Sequence, residues 1–348
     1  MRPARANWLL GVTVLGGILS AFFNIDKVAA QSAEVFYRTH PISLVVGYSS
    51  GSAYDVLGHA MAKVLGRHIL GNPAVIVVNQ PGAGSLSAAN YLYNVAKNDG
   101  SEIGTFSRGI PMEPLIGDLL AKYDATRFTW LGSVASETSV CASWHTSPIK
   151  TWDDLFTHEF VAGANSPSSD TGIFANLIKS VFGANIKLIV GYPGGADINK
   201  AIESGEIDGR CGWSWSAVKS SEPSWLADKL INVFVQLDLH KSPELPDVPL
   251  IVDFAKTERQ MQILKLILRR QDIAWPFAAP PGIPEDRKAA LRVAFDATMR
   301  DPEFVAEARM LQLEVNPISG AAVEASIQEM YRSPSDVVTE VKRLLNSE

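Results

Sequence analysis

The stretch ISLVVGYSSGSAYDVLGHAMAKVL, Ile42 to Leu65, contains a strand, a loop and a helix in that order. The apolar run 42–46 is typical of a buried strand, and the loop GYSSGS follows it directly. Ser52-x-x-Asp55 matches a capping box, and the apolar positions after it recur at helical spacing. The sequence therefore predicts a helix from about Ala53, with its N-terminus beside the loop.

The same arrangement occurs a second time along the chain. In the first copy, a strand at 75–78 leads into NQPGAGS, another helix and the turn NDG. In the second copy, FVAGANSPSSDTG precedes a helix from about Thr171, and a strand at 186–190 precedes GYPGGAD. Strands that alternate with helices in short units form parallel sheets covered on both faces. We expect an α/β protein with two similar lobes, each a mostly parallel sheet flanked by helices.

The lobes are not separated by a low-complexity linker, which indicates two chain crossings, near Val140 and near Ile273. The prediction assigns residues 31–140 and 273–348 to lobe 1. It assigns residues 141–272 to lobe 2, so that the C-terminal helices return to the first lobe.

The first thirty residues have the pattern of an export signal. Arg2 and Arg5 precede the apolar run WLLGVTVLGGILSAFF, and the small residues at 28–30 provide a cleavage site. The run is shorter than the ~20 residues that span a bilayer, although an uncleaved membrane anchor is the alternative. We expect residues 1–30 to be removed as a signal peptide, so that the mature chain begins at Gln31 outside the cytoplasm.

Charge and cysteine content restrict the function further. Cleavage removes three basic residues and one acidic residue, which takes the formal charge from −6 to −8 and leaves no basic footprint for nucleic acid. No Cys/His spacing matches a zinc site, and we expect neither a metal nor a cofactor. Cys141 and Cys211 are the only cysteines. Either they form one disulfide in an oxidising compartment, or they are buried residues on neighbouring strands.

Four Gly- and Ser-rich loops lie between predicted strands and helices. Ligands bind beyond the carboxyl ends of parallel strands, where helix N-termini present N–H groups and the positive end of the helix dipole. Glycine lets the backbone approach a ligand, and serine adds a hydroxyl donor, which suits a carboxylate or another small anion. The candidate ligand-binding residues in and beside these loops are Tyr48, Ser49, Ser50, Gly51, Ser52, Gly82, Ala83, Gly84, Ser107, Asn165, Ser166, Ser168, Thr171, Tyr192 and Gly194.

Two arginines and several aromatic residues extend this candidate site. Arg108 follows a predicted strand, and Arg210 lies in the strand that leads to Trp213. Either guanidinium could pair with a ligand carboxylate. An aromatic wall could form from Trp213, Trp215, Tyr48 and Tyr192, with packing in the core as the alternative, most of all for Trp215.

Two acidic residues in these loops are assigned structural roles. Asp55 is the N3 member of the capping box, and as a bare carboxylate it would repel an anionic ligand. Asp170 is predicted to cap the helix that follows it.

The segment Gly47-Tyr48-Ser49-Ser50-Gly51 also fits the G-x-S-x-G pattern of a hydrolase nucleophile elbow. Such a site needs an oxyanion donor from an earlier strand-to-helix loop, and an acid and then a histidine downstream. Ser49 follows the first strand of the mature chain, and His240 is the only histidine placed to act as the base. A secreted serine hydrolase that uses Ser49 is therefore the alternative, and we favour a hydrogen-bonding role for Ser49.

The same loops resemble the solute receptors of tripartite tricarboxylate transporters, also called Bug receptors. The similarity covers essentially the whole mature chain, and its motifs are fairly specific in this order and spacing. They stand here as Tyr48, Gly51-Ser52 and Asp55, Pro81-Gly82-Ala83-Gly84-Ser85, Asp99-Gly100, Tyr192 with Gly194-Gly195-Ala196, and Ala279-Pro280-Pro281-Gly282.

The resemblance implies a two-lobe periplasmic-binding-protein-like (Venus flytrap) fold and a monomeric periplasmic binding protein that is not an enzyme. Such a protein closes on a small di-, tri- or aromatic carboxylate and delivers it to the permease subunits of a tripartite transporter. A sensory receptor that presents its ligand to a membrane kinase is a further alternative. Ser49, Ser50, Ser52 and Ser85 replace family Pro or Gly residues, so the pocket is expected to be richer in hydroxyls.

Overall fold

The computed structural model describes residues 33–167, 169–310, 313 and 315–346. The predicted signal peptide and Ser168 lie outside these residues. No helix in the described ranges is long and apolar enough to cross a membrane.

The described residues form two sheets with helices on both faces of each. The first sheet has the order β11-β4-β10-β3-β1-β2, and the second has the order β7-β6-β8-β5-β9. The strands are β1 (Ile42–Val46), β2 (Val75–Asn79), β3 (Glu102–Thr105), β4 (Thr129–Ser133), β5 (Ser139–Trp144), β6 (Phe160–Ala164), β7 (Ile186–Val190), β8 (Gly209–Ser214), β9 (Ile231–Leu237), β10 (Pro276–Ala279) and β11 (Ile318–Ser319). The helices are α1 (Ala53–Leu65), α2 (Leu86–Asn94), α3 (Glu113–Ile116), α4 (Asp170–Phe182), α5 (Gly195–Glu203), α6 (Trp215–Ser221), α7 (Pro223–Ala227), α8 (Glu258–Leu268), α9 (Glu285–Thr298), α10 (Pro302–Met310), α11 (Gly320–Tyr331) and α12 (Ser335–Asn346).

Both sheets are mixed and not mostly parallel as the repeated pattern predicts, because the antiparallel strand pairs equal or outnumber the parallel ones. In the first sheet, β1 pairs in parallel with β2 and β3, while β10 is antiparallel to β3 and β4. In the second sheet, β6 pairs in parallel with β7 and β8, while β5 is antiparallel to β8 and β9. In both sheets, the first strand after a chain crossing, β5 or β10, therefore runs antiparallel to its two neighbours. The predicted strand bounds 42–46 and 186–190 are confirmed.

Apolar side chains cover both faces of each sheet. On one face of the first sheet, Leu44 and Met61 lie in one core cluster, and on the other face Trp130 and Ile327 lie in a second. In the second sheet, Phe174 and Trp213 belong to clusters on opposite faces. These cores fix the strands, so that the loops at their carboxyl ends face one another.

The chain crosses from the first sheet to the second between β4 and β5 and returns between β9 and β10. The predicted crossing near Val140 falls inside β5, and Ile273 precedes β10. The residue ranges 31–140 with 273–348 and 141–272 stay predictions for the lobes. Below, "first lobe" and "second lobe" denote each sheet with its packed helices.

The last helix differs from the predicted return of all C-terminal helices to the first lobe. Val337, Val341 and Leu344 of α12 lie in a core cluster with Phe160 and Phe174 of the second lobe. Arg259 of α8 forms ion pairs with Asp336 and Glu340 of α12. The reason is that α12 has an apolar face, and this face packs against apolar side chains of α4 and α8 instead of against the first sheet.

Cys141 and Cys211 are joined in a disulfide between β5 and β8. Both residues are fully buried, and the two strands are antiparallel neighbours. Of the two alternatives that the sequence left open, the structure therefore contains the disulfide.

Candidate functional site

A cleft of about 330 Å³ lies between the carboxyl ends of the two sheets. Tyr48 and Arg108, from loops after β1 and β3, line it from the first lobe. Asp170 and Ser214, at the start of α4 and the end of β8, line it from the second lobe. The cleft also contains Arg270, which lies in the chain segment that returns to the first lobe. A ligand in this space would contact both lobes at once.

Arg108 and Arg270 carry the positive charge of the cleft. Arg108 Nη1 donates to Gln271 Oε1 at 2.8 Å, and its Nη2 donates to Asp170 Oδ2. Arg270 Nη2 lies 3.0 Å from Asp170 Oδ1. Burial and the neighbouring Arg270 lower the pKa of Arg108 to about 10, and burial also lowers the pKa of Arg270. The shift of Arg108 leaves its guanidinium charged at neutral pH.

Arg270 has hydrogen-bond donors that the described residues do not satisfy. Its side chain is buried, with 6% of the residue exposed, and its Nε and Nη1 atoms have no hydrogen-bond partner within the described ranges. Buried donors without partners are rare because each one costs about 1–3 kcal/mol of desolvation. A guanidinium with free donors inside a cleft is therefore a strong indication of an anion site.

Asp170 was predicted to cap α4, and this prediction is wrong. Ser169 is the N-cap, because its side chain accepts from Gly172 N at 3.3 Å. Asp170 is the first helical residue, and its carboxylate turns away from the helix toward Arg108 and Arg270. The sequence showed an acidic residue at a helix start but not the two arginines from distant segments that face it.

An aromatic stack forms one side of the cleft. The ring centroids of Tyr48 and Tyr54 are 4.5 Å apart, and those of Tyr54 and Trp275 are 4.4 Å apart. Tyr54 Oη donates to Ala274 O at 3.1 Å, which fixes the central ring. The stack presents an apolar surface next to the charged groups, so the cleft can accept a carboxylate that carries a hydrocarbon or aromatic part.

Glu137 brings a second acidic group to the cleft. Its carboxylate accepts from Ser216 Oγ at 2.9 Å and is 8% exposed. Burial raises the pKa of Glu137, although the hydrogen bonds from Ser216 and the charge of Arg108 oppose this shift.

A second cavity, of about 490 Å³, adjoins the first and shares Arg108, Asp170 and Ser214 with it. Arg210 is buried here, and its Nη1 donates to Asn199 Oδ1 at 3.0 Å. The guanidinium carbon lies 4.8 Å from the ring centroid of Trp213. Arg210 Nε is a further buried donor that no described residue satisfies. Burial lowers the pKa of Arg210 to about 10, so this cavity also carries a positive charge at neutral pH.

The structure brings part of the predicted ligand-binding set together, and the role of these residues in binding stays a prediction. The predicted residues that line one or both cavities are Tyr48, Ser107, Arg108, Asn165, Thr171, Arg210 and Trp213. The predicted residues that line neither cavity are Ser49, Ser50, Gly51, Ser52, Gly82, Ala83, Gly84, Ser166, Tyr192 and Gly194. Sequence analysis did not identify Tyr54, Glu137, Ser169, Asn199, Ser214, Arg270 and Trp275 as lining residues.

The PG-loop supports the cleft from behind instead of lining it. Gly82, Ala83, Gly84 and Ser85 all have positive φ, which turns the loop back toward β1. Ser85 is buried, and its Oγ donates to Gly47 O at 3.2 Å and accepts from Ser107 N at 3.2 Å. Ser85 therefore ties the loops after β1 and β3 together.

Asp55 holds the loop after β1 in place, but its carboxylate accepts from Gly51 N and not from Ser52 N, so only half of the predicted capping box forms. Ser52 caps α1, because its Oγ accepts from Asp55 N at 3.2 Å. The Asp55 carboxylate accepts from Gly51 N at 2.8 Å and from Asn79 Nδ2 at 2.7 Å. Burial raises the pKa of Asp55, but these donors and Ser50 outweigh that effect and lower it below 3.8.

Replacing Asp55 with asparagine is expected to destabilise the fold by about 2 kcal/mol at pH 7, because hydrogen bonds to a charged acceptor are lost. The lowered pKa means that wild-type Asp55 stabilises the fold above about pH 4 and loses this effect as pH falls through its folded pKa. Urea unfolding at several pH values measures both effects. The exposed Asp153→Asn is the matched control. A stability difference that does not shrink at low pH would contradict the role of the Asp55 charge.

Ser49 is not arranged as a nucleophile. It is exposed, and its carbonyl oxygen accepts from Ser52 N at 3.2 Å. In the part of the chain that the structure describes, no histidine is hydrogen-bonded to Ser49, and His240 lines a different cavity beside Asp238 and Asp272. The same part of the chain has no group of three or more His, Cys, Asp or Glu residues that could hold a metal ion.

The sequence matches no protein-family model and no curated protein. Solved structures do resemble the chain along most of its length. A TctC solute binding protein from Polaromonas is 19% identical with a TM-score of 0.69, over 89% of this chain and 99% of that chain. MatC from Rhodopseudomonas palustris with bound malate is 17% identical with a TM-score of 0.59, over 86% and 99%.

A third structure, an R. palustris protein with adipate, is 18% identical with a TM-score of 0.60, over 87% of this chain and 97% of that chain. Likeness at these identities establishes the fold. The chain has the two-lobe fold of periplasmic binding proteins, and the predicted fold class is confirmed.

Proposed function

We propose that this protein is a periplasmic solute-binding receptor of the tripartite tricarboxylate transporter type. It captures a small organic carboxylate between its lobes and delivers it to the permease subunits of a membrane transporter. The observation that carries this proposal is Arg270, a buried arginine whose Nε and Nη1 donors the described residues leave unsatisfied in a cleft between the lobes.

The charges and surfaces of the cleft favour an organic acid. Arg108 and Arg270 supply donors in the planar arrangement that matches a carboxylate. Tyr54 and Trp275 supply an apolar surface beside them. The adjoining cavity adds Arg210 at a separate position, which suits a ligand with a second acidic or polar group.

The structural neighbours support the same chemical class. The R. palustris protein of similar fold contains adipate, and MatC contains malate; both ligands are dicarboxylates. Because identity to these proteins is below 20%, they support the class of ligand and not a particular acid.

Capture takes place by closure of the lobes. The ligand shifts the balance toward the closed form because only that form lets both lobes contact it. The lobes correspond to residues 31–140 with 273–331, and to 141–272 together with α12. The protein is a monomer that reaches the periplasm through a cleavable signal peptide, and the disulfide fits an oxidising compartment.

The experiment that tests this function is a thermal unfolding scan of the exported protein against mono-, di-, tri- and aromatic carboxylates. The panel includes malate and adipate, and the intact mass of the sample shows whether the chain begins at Gln31. A ligand at ~100 times its dissociation constant adds about 2.7 kcal/mol to the free energy of unfolding. We expect one group of acids to raise the midpoint, and their amides to leave it unchanged.

A panel without any upward shift would contradict carboxylate capture. Ester hydrolysis would then be measured for the wild-type protein and for Ser49→Ala. Turnover that disappears in Ser49→Ala would establish the hydrolase alternative.

A further inference from the structure

The Asp170 side chain lies where a ligand carboxylate would pair with the arginines of the cleft. Its Oδ2 accepts from Arg108, and its Oδ1 lies 3.0 Å from Arg270 Nη2. The two oxygens of one carboxylate therefore contact two different guanidinium groups. A ligand carboxylate has the same two acceptor oxygens, each of which can take a charge-assisted hydrogen bond from a guanidinium.

The contact joins the two lobes. Arg108 follows β3 of the first sheet, whereas Asp170 begins α4 of the second lobe. Arg270 lies in the short helix Arg269–Gln271 of the returning chain, and its neighbour Gln271 accepts from Arg108. Opening of the cleft must separate Asp170 from Arg108, so this ion pair opposes opening.

Asp170 balances the positive charge of Arg108 and Arg270, which is a different role from helix capping. Without it, Arg108 and Arg270 would be two neighbouring cations in the cleft with no carboxylate between them, and the charge of Arg270 already lowers the pKa of Arg108. The N-terminus of α4 adds positive potential at the same place. Glu137 is bonded to Ser216, and Glu113 lies near Arg270 without an ion pair among the described residues.

We propose that Asp170 is an internal counterion that fills the carboxylate position between Arg108 and Arg270 and holds the lobes closed until a ligand carboxylate replaces it. This inference rests on the proposed function and adds how the site is regulated. An incoming acid competes with Asp170 for the two arginines. Only an acid that binds these arginines more strongly than Asp170 does can therefore occupy the site. Acids with two carboxylates are favoured, because one group replaces Asp170 while the other reaches the Arg210 cavity.

Chemical rescue tests the position directly. Asp170→Ala removes one carboxylate and leaves a space that formate or acetate can fill. We expect either anion to raise the midpoint of thermal unfolding of Asp170→Ala by about 3 °C or more, with saturation, at constant ionic strength. Acetamide, which has the same shape without the charge, should have no effect. Wild-type protein should respond much less, because its own carboxylate competes for the position.

Asp197→Ala is the matched control. Asp197 lies in the first turn of α5, and among the described residues it forms no ion pair. Its removal should create no response to formate or acetate. Equal responses of all three proteins, or none in Asp170→Ala, would overturn the proposal. Both probes replace the Asp170 carboxylate itself, so a result for or against the proposal does not depend on finding the natural ligand.

Small-angle scattering tests the closing role. Without added carboxylate, Asp170→Ala should have a larger radius of gyration than wild-type protein, and acetate should restore the wild-type value. If Asp170→Ala does not fold, Asp170→Asn keeps the size of the side chain and removes its charge. A wild-type radius for Asp170→Asn would overturn the closing role.

Discussion

Replacing Arg270 with methionine is expected to lower the affinity for the best-bound acid of the panel by about 100-fold or more. The ligand would lose charge-assisted hydrogen bonds from the Arg270 guanidinium, each worth about 1.5–3 kcal/mol. The measurement is a calorimetric or fluorescence titration of the two proteins.

Stability separates a binding role of Arg270 from a structural one. Methionine has a similar volume, and Asp170 keeps Arg108 as its partner in the variant. Replacing a buried charge by a well-packed apolar side chain is often neutral or stabilising. We therefore expect the unfolding midpoint of Arg270→Met, without acid, to be equal to or above that of the wild-type protein.

The adjacent residue provides a control for this variant. Arg269 lies in the same short helix but pairs with Glu329, away from the cleft. Arg269→Met should leave the affinity unchanged. Wild-type affinity in Arg270→Met, or a loss of affinity that follows only from unfolding, would contradict the proposed role of Arg270.

The second large effect is expected from the disulfide. The double variant Cys141→Ala/Cys211→Ala should lose about 4 kcal/mol of unfolding free energy, because the disulfide closes a loop of 70 residues in the unfolded chain. For a protein of this size the midpoint should fall by roughly 10 °C. Calorimetric scans of the wild-type protein and the variant measure the difference.

Reductant provides the internal control for the disulfide prediction. Wild-type protein that is unfolded and refolded in reductant should have a midpoint close to that of the variant, whereas reductant should not change the variant. Equal midpoints for all samples would show that Cys141 and Cys211 are not joined in solution.

Local patterns in the sequence predicted the fold well because each element carries its own signal. The apolar run at 42–46 and the Ser52-x-x-Asp55 box gave the bounds of β1 and the start of α1, since burial and capping act within a few residues. The repetition of strand, loop and helix gave two sheets. The position of α12 could not be predicted, because the apolar face of a helix does not itself indicate which lobe the helix packs against.

The site was predicted less completely because its residues meet through tertiary packing. Arg108 was identified from its place after a strand, but Arg270 lies at the end of a helix far along the chain. Nothing in the sequence indicates that Asp170 faces both arginines instead of its own helix. The positive φ angles at 82–85 similarly turn that loop behind the cleft, although its composition suggested a lining role.

The packing of α12 on the second lobe has a practical consequence for measuring closure. Ala33 lies in the core of the first lobe, whereas Val341 and Leu344 lie in the core of the second. The two ends of the described chain are therefore anchored to different lobes. Under the proposed function, a fluorophore near each end would report lobe closure as a change in energy transfer, and the labelled protein would act as a sensor for its ligand.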